Sequence, residues 1–104
     1  MKTTILVAVV LVASTASTFA EERVIIRRVP ACVQLDDLFT FYRFSRENPS
    51  MADLAQFLRN HPCMALSSGT RAKVLREDES KLFSCVHVAE RQPCYWISRR
   101  ALTR

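Results

Sequence analysis

Four cysteines and two histidines are the residues of this chain whose types and spacing could carry chemistry. They occur as His61-Pro62-Cys63 and Cys85-Val86-His87, with Cys32 and Cys94 standing alone. Zinc accepts such ligands, but structural zinc sites usually place two to four residues between the ligands of a pair, and here only one intervenes. A thiol-redox site is not expected because the chain has no Cys-x-x-Cys. We therefore favour structural disulfides, and we expect no metal and no cofactor.

The first twenty residues have the features of a secretory signal peptide. Lys2 supplies a positive start, residues 5–13 form an uninterrupted apolar run, and Thr18-Phe19-Ala20 places small residues at the −3 and −1 positions of a cleavage site. The run is too short for a transmembrane helix, which needs roughly 20 apolar residues. We expect a periplasmic or secreted mature chain of residues 21–104 that forms one domain without a transmembrane segment. Such a compartment favours oxidised cysteines.

The four cysteines allow three disulfide connectivities. Cys85 and Cys94 lie on two predicted strands joined by a short turn, whereas Cys32 precedes a predicted helical pair and Cys63 follows it. The outer ends of a helical hairpin meet, so we favour Cys32–Cys63 together with Cys85–Cys94. Loop-closure entropy assigns roughly 4 kcal/mol of stabilisation to the first bond and about 2.7 kcal/mol to the second.

The charge of the chain is moderately basic. Lysine and arginine number 15 against 10 acidic residues, and removal of Lys2 with the signal peptide leaves a net charge of +4. This excess favours anionic surfaces such as cell-wall polymers. No nucleic-acid partner is expected, because the basic residues are scattered and export removes the opportunity.

Residues 34–60 are predicted to form two short helices. In the first, over residues 34–46, an apolar stripe with helical spacing consists of Leu35, Leu38, Phe39 and Tyr42, and Phe41 and Phe44 fall outside it. In the second, Ser50 and Asp53 form a predicted capping box, and Met51, Leu54, Ala55 and Leu58 repeat the stripe. Both helices need a partner surface, since helices of about three turns are marginal alone.

In the rest of the chain the residue pattern repeats every two residues, as is typical of strands. Residues 24–29 are predicted as a strand or extended arm that ends at Pro30, with Arg27 and Arg28 exposed on it. Further strands are predicted over residues 70–76, 82–89 and 94–97, separated by polar turns. The fold class is therefore α+β.

The second half of the chain resembles bacterial SH3-like domains over about residues 64–104. The resemblance rests on three segments: the strand at 69–75 that begins Gly69-Thr70, the central strand at 85–88, and the Trp96-containing strand at 94–102 that ends in Leu102. It implies a small antiparallel barrel, with a strand at residues 63–66 before Gly69 and another at residues 24–29. The helical segment is not part of that fold, and we expect it to form an N-terminal hairpin packed on the barrel. The resemblance also implies a binding or scaffolding module rather than an enzyme. The features that bind proline-rich peptides in some SH3 domains are not recognisable here, so that ligand class is not carried over.

No catalytic constellation is recognisable in the sequence. There is no Gly-x-Ser-x-Gly elbow, and the single glycine excludes a phosphate-binding glycine loop. Asp36 and Asp37 are adjacent and would point about 100° apart on a helix, which suits the helix dipole better than a carboxylate dyad. We therefore expect no enzyme.

Three residues near the C-terminus are candidate ligand-binding residues. Tyr95 and Trp96 are adjacent and must face opposite sides of a strand. Trp96 is expected to pack against a disulfide, which leaves Tyr95 as a ligand platform beside Arg99 and Arg100. The expected function is an exported, non-catalytic binding or scaffolding module of the bacterial envelope, with a cell-wall glycopeptide or another protein as partner. The alternative is a secreted inhibitor or effector that acts on another protein, through the aromatic first helix.

Overall fold

The described part of the chain contains six strands and two helices. The computed structural model describes residues 21–89 and 92–104, so the predicted signal peptide lies outside it. In chain order the elements are β1 (Glu21–Val24), β2 (Val29–Cys32), α1 (Leu35–Ser45), α2 (Met51–Asn60), β3 (Cys63–Leu66), β4 (Arg71–Glu77), β5 (Phe83–Val88), β6 (Tyr95–Ser98) and a 3-10 turn (Arg99–Ala101).

The six strands form one antiparallel sheet in the order β1-β4-β5-β6-β2-β3. This confirms the α+β class, but the predicted closed barrel is wrong. The sheet is open because β1 and β3 lie at opposite edges and do not pair with one another. A single bridge between Ile25 and Leu102 joins the chain after β1 to the C-terminal segment.

The helices are not an N-terminal hairpin, which corrects the second part of the predicted architecture. Two strands precede them, and both helices lie in the connection from β2 to β3. The predicted strand over residues 24–29 is divided, with exposed Arg27 and Arg28 in the break. Pro30 does not end a strand; it lies inside β2, opposite Ala65 of β3. It is tolerated there because β2 pairs with its other neighbour, β6, only at Cys32.

One face of the sheet carries the main hydrophobic core. Side chains alternate between the two faces of a strand, and in β5 and β6 the inward set includes Val86, Val88 and Ile97. The core cluster consists of Ile25, Val29, Ala31, Leu66, Ala72, Val86, Val88, Ile97, Ala101 and Leu102, with Met64, Val74 and Tyr95 packed against it. The C-terminal segment therefore belongs to the core and is held there by apolar burial.

The opposite face is covered by the helices. Helix α1 contacts β2 and β6, and α2 contacts β3 and α1. Cys32, Cys85 and Leu38 are fully buried on this side. Trp96 lies opposite both Cys32 and Cys85 in the strand register, and the Arg76 guanidinium lies 5.5 Å from the centre of its ring. Trp96 thus shares the face of the disulfides, as predicted.

The helices meet through an aromatic cluster made of Phe41, Phe44, Phe57 and His61. Ring centres of Phe57 lie 5.6 Å from Phe41, 5.7 Å from Phe44 and 3.9 Å from His61. The first helix is apolar on more than one side, because Phe44 contacts Phe57 of α2 whereas Phe39 contacts Phe83 of β5.

Helix α2 departs from the prediction. Its capping box is confirmed, because the Ser50 hydroxyl accepts from the Asp53 backbone and the Asp53 carboxylate accepts from the Ser50 backbone. Its apolar stripe, however, does not enter the core: no residue of α2 is buried, and Met51 is 78 % exposed. The residue of α2 that contacts α1 through the aromatic cluster is Phe57, which lies outside the stripe.

Both disulfides have the predicted connectivity. Cys32 and Cys63 are directly opposite in the β2–β3 register and their Cα atoms lie 4.0 Å apart. Cys85 and Cys94 are joined across the β5–β6 connection with a Cα separation of 5.5 Å. The first bond therefore links neighbouring strands and closes the segment that contains both helices, and the second joins β5 to the residue before β6.

Removal of the two disulfides is expected to have unequal effects on stability. The Cys32→Ala/Cys63→Ala variant should lose about 4 kcal/mol of unfolding free energy and Cys85→Ala/Cys94→Ala about 2.7 kcal/mol, because the first bond closes the longer loop. Urea denaturation without reductant measures both losses. A larger loss from the Cys85–Cys94 pair would contradict this ranking.

Ser84 is an exception inside the apolar core. The residue is fully buried, and its hydroxyl has no hydrogen-bond partner among the described residues. We expect Ser84→Ala to stabilise the fold by about 1 kcal/mol, because it removes an unsatisfied polar group at little change in volume. The control is Ser98→Ala, which removes a hydroxyl that accepts a hydrogen bond from the Arg100 backbone and should destabilise the protein. Denaturation midpoints compare the two, and a Ser84→Ala variant less stable than the wild type would refute the expectation.

Candidate functional site

A basic groove lies where β1, α1, the β4–β5 turn and the C-terminal segment meet. The basic side chains that line it are Arg23, Arg27, Lys81, Arg99, Arg100 and Arg104, which are six of the 15 lysines and arginines of the chain. No acidic side chain is among its described lining residues. The groove therefore concentrates positive charge that is dispersed in the sequence.

The remaining wall of the basic groove is aromatic and aliphatic. Tyr42 and Phe83 are half-buried, with ring centres 6.4 Å apart, and Ile26 and Leu82 are exposed. Burial raises the pKa of the Tyr42 phenol, so the hydroxyl remains protonated and uncharged at neutral pH. The groove thus combines cations with apolar surface, which suits an anionic ligand that also carries apolar groups.

The C-terminal arginines are positioned by backbone hydrogen bonds. The Ser98 hydroxyl accepts from the Arg100 backbone, and the Arg99 backbone donates to the Leu82 carbonyl at 2.9 Å. The Arg23 guanidinium donates to the Thr103 carbonyl at 2.7 Å. Together with the Ile25–Leu102 bridge, these bonds hold the end of the chain along β1.

The β4–β5 turn supplies Lys81. The Asp78 carboxylate accepts from the Ser80 hydroxyl at 2.6 Å and from the Phe83 backbone at 3.1 Å, and the Lys81 backbone donates to the Asp78 carbonyl. Lys81 adopts a φ of 63°, in the left-handed region. The turn is thereby closed by its own hydrogen bonds, and its lysine lies on the wall of the basic groove.

Two of the arginines differ in their partners. The Arg99 guanidinium lies 3.5 Å from the Glu77 carboxylate and 3.4 Å from the Lys81 carbonyl. Arg100 is exposed and forms no ion pair with any residue that the structure describes. Arg100 is therefore the better placed of the two to meet a ligand, while Arg99 helps to hold the turn.

Of the three candidate ligand-binding residues, the structure brings two together. Arg99 and Arg100 both line the basic groove. Tyr95 is not part of it, because its ring packs against the core cluster on the other side of Trp96. Its role as a ligand platform stays a prediction and has no support from the groove.

Sequence reasoning missed the aromatic wall and the charges from other parts of the chain. In the sequence, Tyr42 belongs to the predicted apolar stripe of the first helix and Phe83 to a predicted strand, and nothing marks Lys81. Arg27 is exposed, as predicted, but the sequence contains no signal that places it in the same groove as Arg99. The two line one groove because the segment after β1 pairs with the C-terminal segment.

The cysteine and histidine pairs do not form a metal site. All four sulfurs are in disulfides. His61 stacks on Phe57, and its Nδ1 lies 2.9 Å from the Phe57 carbonyl. Within residues 21–89 and 92–104 no group of three or more His, Cys, Asp or Glu is arranged to hold a metal ion.

The hydrogen bonds of the β4–β5 turn make stability depend on pH. The Ser80 hydroxyl is the main cause that lowers the pKa of Asp78, and the Phe83 backbone adds to it. Because the folded-state pKa is depressed, the stabilisation is present above the unfolded pKa of about 3.9 and is lost as pH falls through the folded value. Asp78→Asn should therefore lower stability at pH 6 and have progressively less effect below pH 4. Urea denaturation across this pH range measures the difference.

The matched control is Glu79→Gln, which removes an exposed carboxylate from the same turn. It should leave this pH dependence in place. An equal loss of pH dependence in both variants would show that general charge, not the Asp78 hydrogen bonds, is responsible.

The two disulfides indicate an oxidising, extracytoplasmic location. Among the described helices, none has the length and apolar character needed to cross a membrane. Comparison of the chain with protein-family models, with curated proteins and with solved structures gives no match.

Proposed function

We propose that the protein is an exported, non-catalytic binding module of the bacterial envelope, periplasmic or secreted, whose basic groove binds an anionic cell-wall glycopeptide. The observation that carries this proposal is the convergence of six cationic side chains on one groove with an aromatic wall. The same class of ligand is suggested by the sequence resemblance of the second half to bacterial SH3-like domains, which occur in cell-wall-associated proteins, although the sheet here is open and not a closed barrel.

The composition of the groove matches the chemistry of such a ligand. Wall glycopeptides carry several carboxylates on a peptide stem, and guanidinium groups bind carboxylates with two parallel hydrogen bonds. Tyr42 and Phe83 offer apolar surface for the less polar parts of the stem. The net charge of the chain also favours approach to an anionic polymer.

The chemistry of the groove favours binding over catalysis. Its titratable side chains among the described residues are arginines, one lysine and one tyrosine whose pKa is raised. None of these is a histidine or carboxylate, the groups that most often act as general acid or base. Both described histidines, His61 and His87, lie outside the groove lining.

The test is co-sedimentation with insoluble cell wall from which proteins have been removed by detergent and protease. The wild-type protein should bind, and binding should weaken as salt rises because exposed charges are screened. The Arg99→Gln/Arg100→Gln variant should bind about tenfold more weakly, since each exposed ion pair contributes up to about 1 kcal/mol.

The control variant is Arg71→Gln/Lys73→Gln, which removes the same charge from exposed positions of β4 outside the groove. It should bind like the wild type, and an equal loss in both variants would reject the groove. Binding only to walls that retain their proteins would replace the glycopeptide with a protein ligand, as in a secreted inhibitor or effector. For that alternative Phe44, which is half-buried, is better placed than the buried Phe41, and the rings of both contact Phe57 within the aromatic cluster.

A further inference from the structure

A second groove, here called the apolar groove, lies between α2 and the helix-covered face of β2 and β3. Its described lining residues are Arg28, Val29, Pro30, Phe41, Met51, Leu54, Ala55, Leu58, Arg59, Cys63, Met64 and Ala65. It shares none of them with the basic groove. Its volume of about 420 Å³ falls within the range of small-molecule sites, roughly 300–1,000 Å³.

The apolar groove exists because α2 uses a different side for its attachment to the domain. Phe57 fixes the helix to α1 through the aromatic cluster. The apolar stripe of α2 is therefore left facing the groove with none of its residues buried. A stripe of this kind on a small exported domain is surface that a ligand can cover.

Two arginines are the only charged residues in the described lining. Arg28 precedes β2, and Arg59 lies in the last turn of α2. Both are exposed, and neither forms an ion pair with a residue that the structure describes. No acidic side chain is among the described lining residues. The groove thus offers an apolar channel and two unpaired cations, which complement an anionic head group on an apolar chain.

An alkyl chain fits these side chains better than a peptide does. Apart from the two arginines, the described lining side chains carry no hydrogen-bonding nitrogen or oxygen. A peptide laid against them would find no side-chain partner for its amides, and each buried amide left unpaired costs about 1–3 kcal/mol. A hydrocarbon chain has no such groups.

We propose that the apolar groove binds straight-chain alkyl carboxylates of the fatty-acid class. The chain lies along Met51, Ala55 and Leu58, and its carboxylate pairs with one of the two lining guanidiniums, Arg28 or Arg59. This site shares no lining residue with the basic groove, so the failure of one proposal in an experiment leaves the other unaffected.

The test is calorimetric titration of the protein with hexanoate, octanoate and decanoate, each below the concentration at which it forms micelles. Each added methylene that is buried should tighten binding about fourfold. Decanol, which lacks the charge, should bind at least fivefold more weakly than decanoate. Absence of decanoate binding at millimolar concentration, or equal binding of decanol, would overturn the proposal.

Two pairs of variants locate the ligand. Ala55→Phe fills the groove and should abolish decanoate binding, whereas Ala52→Phe, at an exposed position of α2 outside the lining, should not. Arg28→Gln/Arg59→Gln should weaken binding about fivefold or more, and Arg71→Gln/Lys73→Gln should leave it unchanged. Chemical shifts of the Met51 and Ala65 methyl groups should move on titration, while those of Ala72 and Leu102 in the core cluster should not.

The same variants identify other occupants. Loss of binding in both phenylalanine variants would place the ligand elsewhere and reject the groove. A wild-type dimer in sedimentation that Ala55→Phe converts to monomer would mean that a second copy covers the stripe, which also rejects the fatty-acid proposal.

Discussion

The Cys32–Cys63 bond is the constraint on which the arrangement of the two helices depends. It joins the last residue of β2 to the first residue of β3, so the intervening thirty residues leave and return to the sheet at one point. Two helices of 11 and 10 residues are too short to be stable alone. Closed in this loop, they pack on the face that carries Cys32, Cys85 and Trp96. The bond therefore fixes the register of the edge strand β3 on β2 and also holds the helices over that face.

Both grooves follow from this placement of the helices. Helix α1 crosses the sheet so that Tyr42 reaches Phe83 and forms one wall of the basic groove. No residue of helix α2 is buried, and the aromatic cluster holds this helix against α1. Its apolar stripe then lies over β2 and β3. A shift of α1 on the sheet would change both surfaces. The two proposed sites are thus chemically independent but share one mechanical support.

Much of the fold could be predicted from sequence because local periodicity and cysteine placement determine it. The two-residue period of the sequence predicted the strands β4, β5 and β6, and the capping box at Ser50 predicted the start of α2. The open sheet and the position of β1 and β2 could not be found this way. They depend on which strands pair over long distances, and residues 24–29 have the composition of one strand whether or not the chain bends at Arg27. The apolar stripe of α2 wrongly predicted a buried helix face for a related reason. Helical spacing identifies the apolar side of a helix, but it does not identify what covers that side.

The candidate site was only partly predictable. Arg99 and Arg100 stood out because they are adjacent to the aromatic pair at residues 95 and 96. Alternation requires Tyr95 and Trp96 to face opposite sides, but it does not say which side carries the core; here the core lies on the side of Tyr95. The other cations of the basic groove come from sequence positions up to 81 residues apart, between Arg23 and Arg104, and meet only because the ends of the domain pair through Ile25 and Leu102.

Lys81 shows how surface charge and backbone preference compete within one residue. A left-handed backbone costs about 1–2 kcal/mol for a residue with a Cβ atom, and glycine avoids most of that cost. The turn between β4 and β5 has a lysine at this position, with a φ of 63° and its side chain on the basic groove. Backbone stability therefore favours glycine at this position, whereas the charge of the groove favours lysine. The turn that is easiest to fold would lack a cation at the groove, so its hydrogen-bonded Asp78 serves to hold a strained residue where its charge is available.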